Sequence, residues 1–300
     1  MIKTIRLIKV NFRKILTSPG FYACAVLTAI LCFSAMIYYD STALTNYSVI
    51  RAFMKFNREQ MLSDMNFCTY QVIVSGSGSW LSMFIPIIAA FAFVPLLCDE
   101  RESGAIRCCA LRTTKRSLYA GSFLSALLSG GLAVLLGFLL FFVIVFFMFP
   151  DIRSYEPALQ EFFASGLSEN YPLFSQLGYP YLFALKFLEM FIYGALSAIP
   201  AFVLTGFIRN KYLIICIPFF LKYIVTQTYQ SFWLTVASDF GASDHDERLE
   251  ILEYANIDAV NSLFSYGNNT WKHAIIFGVL LLAAYILYIL AMNRRVDSGT

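Results

Sequence analysis

Only two histidines occur in the chain, His245 and His273, and neither has a second ligand at metal-binding spacing. An imidazole-based metal centre therefore has no support in the sequence. Charge is equally scarce: 14% of residues are charged and 59% are hydrophobic, a balance foreign to a water-solvated domain. No G-x-x-x-x-G-K-[ST] loop is present, so the chain cannot cradle a nucleotide by that route. There are seven cysteines, but only Cys68 falls in a segment expected outside the membrane. Cys24, Cys32, Cys98 and Cys216 lie in or at the ends of apolar runs, and Cys108 and Cys109 are expected in the cytoplasm. That excludes a disulfide framework. The Ser75–Ser79 run has no matching base and reads as a flexible turn. No catalytic constellation is present, and the chain is expected not to be an enzyme.

Long apolar runs take the place of all this. Six reach or approach the ~20 residues that cross a bilayer core: about 19–39, 80–98, 119–148, 181–207, 212–235 and 272–292. Each is expected to be helical, because lipid offers the backbone no hydrogen-bond partners. The fold class is an all-α integral membrane protein of six transmembrane helices, with an N-terminal amphipathic interfacial helix and a small helical outer cap. Residues 1–300 form a single transmembrane domain. No cleavage site follows the first apolar run, so that span is expected to be retained.

Basic residues fix the expected orientation. Lys3, Arg6, Lys9, Arg13, Lys14, Arg101, Arg107, Arg112, Lys115, Arg116, Arg209, Lys211, Arg294 and Arg295 share one side. Only Arg51, Lys55, Arg58, Arg153 and Arg248 fall on the other. The chain is thus expected in the cell membrane of a bacterium, as a multi-pass protein with both termini cytoplasmic.

Residues 1–17 read as an interfacial helix. At 100° per residue, Ile5, Ile8, Phe12, Ile15 and Leu16 share one arc, and Lys3, Arg6, Lys9, Arg13 and Lys14 oppose it, a pattern suited to anionic lipid headgroups. Ser18-Pro19-Gly20 ends it. Segments 40–79, 149–180 and 237–270 lie outside, the last with an acidic, helix-favouring stretch at 244–253 that reads as a cap over the bundle. Asn46-Tyr47-Ser48 and Asn268-Asn269-Thr270 match the glycosylation pattern, which matters only in a eukaryotic secretory pathway. In the third span, Ser122, Ala126 and Gly130 recur every four residues beside Gly121, Ser125 and Ser129, a stripe that lets another helix approach closely.

Between the second and third spans, residues 99–118 form a compact charged hairpin. Asp99, Glu100 and Glu102 alternate with Arg101 and Arg107, Gly104 permits a tight turn, and Ile106, Cys109 and Leu111 supply apolar contacts. Such a segment suits a groove on a soluble partner, with apolar anchors for affinity and charges for register.

From Phe91 through Leu124 the order of residues resembles the permeases of ATP-binding-cassette transporters of the type-2 exporter class. An acidic-basic cluster, Glu100-Arg101-Glu102 with Gly104, is followed by Thr114 and Arg116, then Tyr119 and Gly121 at the opening of the third span. The specific likeness covers about a tenth of the chain; the likeness in topology covers nearly all of it. The resemblance implies that two ATP-binding-cassette ATPase subunits bind beneath a pair of permeases, the second being an identical or sister chain. ATP and Mg would be held by the ATPases, and this chain would bind no cofactor, no metal and no nucleic acid. It implies ATPase-coupling roles for Glu100, Arg101, Glu102, Gly104, Ile106, Arg107 and Arg116. It also implies export of an amphiphile, with an antimicrobial or amphipathic peptide ahead of a lipid or hydrophobic drug.

Two further readings stay open: a secondary transporter driven by an ion gradient, and a non-transporting membrane scaffold or sensor. Lys222, near the middle of the fifth span, is expected to face protein or water rather than lipid, where an isolated lysine costs roughly 2.5–3.5 kcal/mol. It is the candidate for the translocation path. Lys186 and Glu189, three apart in the fourth span, are expected to form a local ion pair.

Overall fold

A computed structural model describes residues 2–41, 44–104, 113–171, 173–238, 256–264 and 270–298. Ile106, Arg107 and the 244–253 stretch lie outside the described residues.

The chain is predominantly helical, and five helices are long and apolar enough to cross a membrane: Trp80–Glu102, Lys115–Ser154, Tyr179–Thr205, Lys211–Ser231 and Thr270–Arg294. A sixth crossing is available from a bent pair, α1 (Ile2–Thr17) and α2 (Pro19–Phe33), which meet at 65°. Together they give the chain the character of a multi-pass membrane protein. Pro19 explains the bend, because its ring and missing N–H prevent α1 from continuing into α2.

The first apolar run ends earlier than its hydropathy predicts. α2 stops at Phe33, where Ser34 turns its hydroxyl back to the Ile30 carbonyl at 2.9 Å. Met36–Asp40 then forms a strand, β1, paired antiparallel with β2 (Thr45–Ser48). The aromatic and β-branched Ile37-Tyr38-Tyr39 suits a strand, and Tyr38 packs on Tyr47, Phe56 and Phe67. Among the described residues this hairpin is the only β structure beside the helices.

Three short helices follow, α3 (Val49–Lys55), α4 (Arg58–Leu62) and α5 (Thr69–Ser77). The second apolar run is two helices, α6 (Ser79–Phe91) and α7 (Val94–Glu102). Pro95 cannot donate to the carbonyl of Phe91 and crowds it, so the first helix ends there.

The longest helix, α8 (Lys115–Met148), starts with the Thr114 hydroxyl accepting from the Ser117 amide. Beyond it come α9 (Pro157–Asn170), α10 (Phe174–Leu177), α11 (Tyr179–Thr205), α12 (Lys211–Ser238) and α13 (Thr270–Ser298). Segments 40–79 and 149–180 pack together at one end of the bundle around Cys68, Tyr70, Ile152, Tyr155 and Phe174. The Thr69 hydroxyl ties them by bonding the carbonyls of Phe149 and Pro150. The opposite end carries Lys14, Asp99–Gly104 and Lys211 and is called the basic end below.

α8 is the spine, packing on α1, α2, α6 and α11. Its small-residue stripe is helix packing. A Cβ on Gly130 would lie 2.7 Å from the Ala198 Cβ and 2.8 Å from the Gly194 carbonyl, so α8 and α11 touch backbone to backbone there.

α1 presents three faces. Thr4, Leu7, Asn11 and Ile15 face α8: Thr4 bonds Ser117 at 2.9 Å, Asn11 donates to the Ser125 hydroxyl at 3.3 Å, and Ile15 is buried. Ile5 and Leu16 remain exposed beside that stripe, and Arg6, Lys9 and Arg13 are exposed beyond them. The amphipathic arc expected from the sequence is therefore split, one flank serving the bundle and the other left bare.

Candidate functional site

Two polar constructions stand out, one at the basic end and one at mid-bundle.

At the basic end, three consecutive residues at the end of α7 each reach a different helix. Asp99 pairs with Lys211 at the start of α12, 3.4 Å away. Glu100 pairs with Lys14 in the last turn of α1. Arg101 donates from Nη1 to the carbonyls of Thr205 at 2.7 Å and Ile208 at 2.9 Å, and from Nη2 to that of Arg209 at 2.9 Å. Those carbonyls lie at the C-terminus of α11, where orphan acceptors and the negative dipole end favour a cation. A guanidinium presents its donors in a rigid planar fork that suits several carbonyls side by side, where a lysine offers a single ammonium point.

Successive residues on a helix point about 100° apart, so consecutive side chains fan out to different neighbours. The helix then stops. Ser103 donates its amide to the Asp99 carbonyl, Gly104 donates to that of Arg101, and Gly104 takes φ of 72°. This left-handed cap favours glycine, and a Cβ there would meet nothing within 4 Å. Glu102 is exposed with no ion-pair partner among the described residues, and Arg116, the second residue of α8, is exposed too. A cavity of about 50 Å³ lies beside the Lys14–Glu100 pair, lined also by Asn11, Ser122 and Tyr288.

The second construction surrounds Lys222. At 1.5 Å per residue, Lys222 lies about 17 Å into α12, and Tyr193 lies about 20 Å from either end of α11. A short 3-10 turn, Ile257–Ser262, reaches down to them from the segment before α13. Asp258 accepts from Lys222 at 2.6 Å, from the Ser82 hydroxyl at 2.7 Å and from the Tyr193 hydroxyl. Lys222 also donates to the Tyr193 hydroxyl at 2.8 Å and to the Ser82 carbonyl. One turn along, Asn261 accepts from Lys186 through its carbonyl at 2.6 Å and its side-chain oxygen at 2.8 Å, and donates to the Ser77 carbonyl at 3.1 Å. Lys186 pairs with Glu189 at 3.3 Å, both buried, and Glu189 accepts from the Phe264 amide.

The segment expected to cap the bundle thus has a described part that inserts into it. Val260 is fully buried, and Asp258 and Asn261, three apart, address two lysines on two helices. Buried ions need such partners, since desolvation costs several kcal/mol per charge.

Of the residues singled out by sequence, the structure joins Glu100, Arg101 and Gly104 in one helix end and gives Lys222 a carboxylate. Sequence reasoning missed Asp99, Lys14 and Lys211 as partners, and Ser82, Tyr193, Asp258 and Asn261 altogether. A lysine at mid-span demands a counter-charge, and that demand was the available signal for Asp258. Neither a comparison with protein-family models nor one with curated protein sequences returns a match for the chain.

Proposed function

We propose that this chain is the membrane-spanning permease subunit of an ATP-driven exporter, working with separate ATPase subunits that bind the 99–118 hairpin. The observation that carries the reading is the fan of Asp99, Glu100 and Arg101 onto α12, α1 and α11. A force applied to the hairpin from a soluble partner reaches three helices through direct polar contacts within one helical turn. Glu102, exposed beside this fan, is available to such a partner.

In this reading α2 makes the sixth crossing with α1 lying at the membrane surface, the basic end faces the cytoplasm, and a second permease, identical or sister, completes the membrane unit. ATP and Mg belong to the ATPases. The substrate is an amphiphile, and the apolar exposed face of α12 beside Lys222 offers it a route along the bilayer. The bare flank of α1, with Arg6, Lys9 and Arg13 beyond it, suits anionic lipid at the cytoplasmic surface.

The test is purification of the chain from its native membrane in mild detergent, followed by mass spectrometry and an ATPase assay. A nucleotide-binding subunit should co-purify and be lost when residues 99–116 are altered. A chain that purifies alone and without ATPase activity overturns the reading. The partly buried Lys222–Asp258 pair favours one rival, a secondary transporter, because an intramembrane ion pair can exchange its partners for a coupling ion. Transport that collapses with the proton gradient and ignores loss of any ATPase would favour that rival.

A further inference from the structure

We propose that the Ile257–Ser262 turn is a self-ligand: Asp258 occupies on Lys222 a cation site that an amphiphile with a single anionic head group takes when the turn withdraws. The inference rests on the transport reading above and names the head group that such a site would accept.

The two lysines at mid-bundle are not equivalent. Lys186 has Glu189 on its own helix and keeps that counter-charge whatever the turn does. Lys222 has no carboxylate from its own helix; among the described residues its acidic partner is Asp258, which the turn supplies. Among the described residues, withdrawal of the turn leaves Lys222 with neutral partners alone, the Tyr193 hydroxyl and the carbonyl and hydroxyl of Ser82. A buried ammonium without an anion is costly, so an incoming carboxylate or phosphate monoester meets a preformed site with one fixed charge and two hydroxyls.

The surroundings select an amphiphile over a free anion. The Lys222 side chain is 10% exposed, while its helical neighbours Leu221, Tyr223, Ile224 and Val225 are 46–58% exposed on the flank of α12. One turn below, Phe219 stacks on Phe84 with centroids 5.6 Å apart, so the floor is apolar as well. An apolar tail can stay along the exposed flank of α12 while its head reaches Lys222. Asp258, at 25% exposure, is the more accessible member of the pair and the one to be displaced.

The experiment uses the full chain, with whatever co-purifies, in nanodiscs of zwitterionic lipid without nucleotide. Binding of dodecyl phosphate, dodecanoate and uncharged dodecanol is measured by competition with a fluorescent dodecyl phosphate. Asp258→Asn removes the internal anion and should tighten dodecyl phosphate or dodecanoate by roughly tenfold, because self-occupancy reduces apparent affinity in proportion. Adding Lys222→Met should abolish that gain, and dodecanol should not respond to either change.

Asn261→Ala leaves Lys222 and Asp258 in place but loosens the turn, and should give a smaller gain in the same direction. The phosphate and carboxylate probes distinguish a lipid-like head from a peptide-like or fatty-acid one, and tightening of either supports the proposal. Failure of both Asp258→Asn and Asn261→Ala to tighten either anion overturns it, as does a gain that survives Lys222→Met. The assay needs no ATPase. Absent gain in a preparation that carries one overturns this inference alone, and a gain in a chain that purifies alone overturns the exporter reading alone.

Discussion

Arg101 and Thr205 stand 104 residues apart in the chain and 2.7 Å apart in space, joined by a guanidinium N–H donated to a backbone carbonyl. With Ile208 and Arg209 as further acceptors, one side chain closes the C-terminus of α11. Arg101→Lys keeps the charge and loses the fork. It should lower stability by about 2 kcal/mol, the usual scale for losing charge-assisted hydrogen bonds. Thermal unfolding of the detergent-solubilised chain reads this, and an unchanged Tm would show that the three carbonyls find water as readily as Arg101.

The Lys14–Glu100 pair should behave differently. Lys14 is 46% exposed and Glu100 22%, so the pair contributes no more than about 1 kcal/mol to stability. Glu100→Ala should therefore leave Tm nearly unchanged, while in the exporter reading it should abolish substrate-stimulated activity of a co-purifying ATPase. Lys14→Glu combined with Glu100→Lys should restore part of that activity if the link between α1 and α7 matters. Activity in the double variant no higher than in either single one would argue against the link.

Gly104 holds φ of 72° in open space, so its requirement is conformational rather than steric. Gly104→Asn should be tolerated, since asparagine visits the left-handed region. Gly104→Val should cost about 1–2 kcal/mol locally and distort the C-terminal cap of α7. Comparing partner co-purification for the two variants checks this. Equal retention would remove the cap from the coupling argument.

Gly130 gives the opposite case, a glycine held by contact. Gly130→Val should force α8 and α11 apart and destabilise the bundle by about 1–3 kcal/mol, read as a lower Tm and greater aggregation in detergent.

Cys68 is buried, and burial pushes its thiol above the ordinary range, with Asp151 adding to the rise. The folded state thus favours the protonated thiol. That contribution is intact below the ordinary thiol pKa and is lost as pH climbs through the raised value. Maleimide labelling, which needs the thiolate, should be at least about tenfold slower than in the denatured chain at pH 8 and should accelerate with pH. Equal rates in the folded and denatured chain at pH 8 would show that the 40–79 and 149–180 segments do not enclose it.

The four later apolar runs were legible because apolar residues dominate them despite Lys186, Glu189 and Lys222, and their helices match the expected bounds to within about six residues, α11 ending two residues short at Thr205. The first was misjudged for a physical reason: Ile37-Tyr38-Tyr39 is as apolar as the helix before it, and hydropathy does not register a change from a 3.6-residue to a two-residue period over so short a stretch. The charged segment at the end of α7 stood out by lying between two apolar runs. Its partners did not, since Arg101 binds backbone carbonyls, which carry no sequence signal. Asp258 was hidden by distance in the chain, although Lys222 advertised the need for it.

α2 spans only about 22 Å at 1.5 Å per residue, whereas α8 reaches about 50 Å. A bilayer core of about 30 Å cannot match both. In the exporter reading, where α2 alone makes the sixth crossing and α1 lies at the surface, lipid beside α2 thins while α8 tilts or projects. Bilayer thickness then becomes a variable to which this chain should respond.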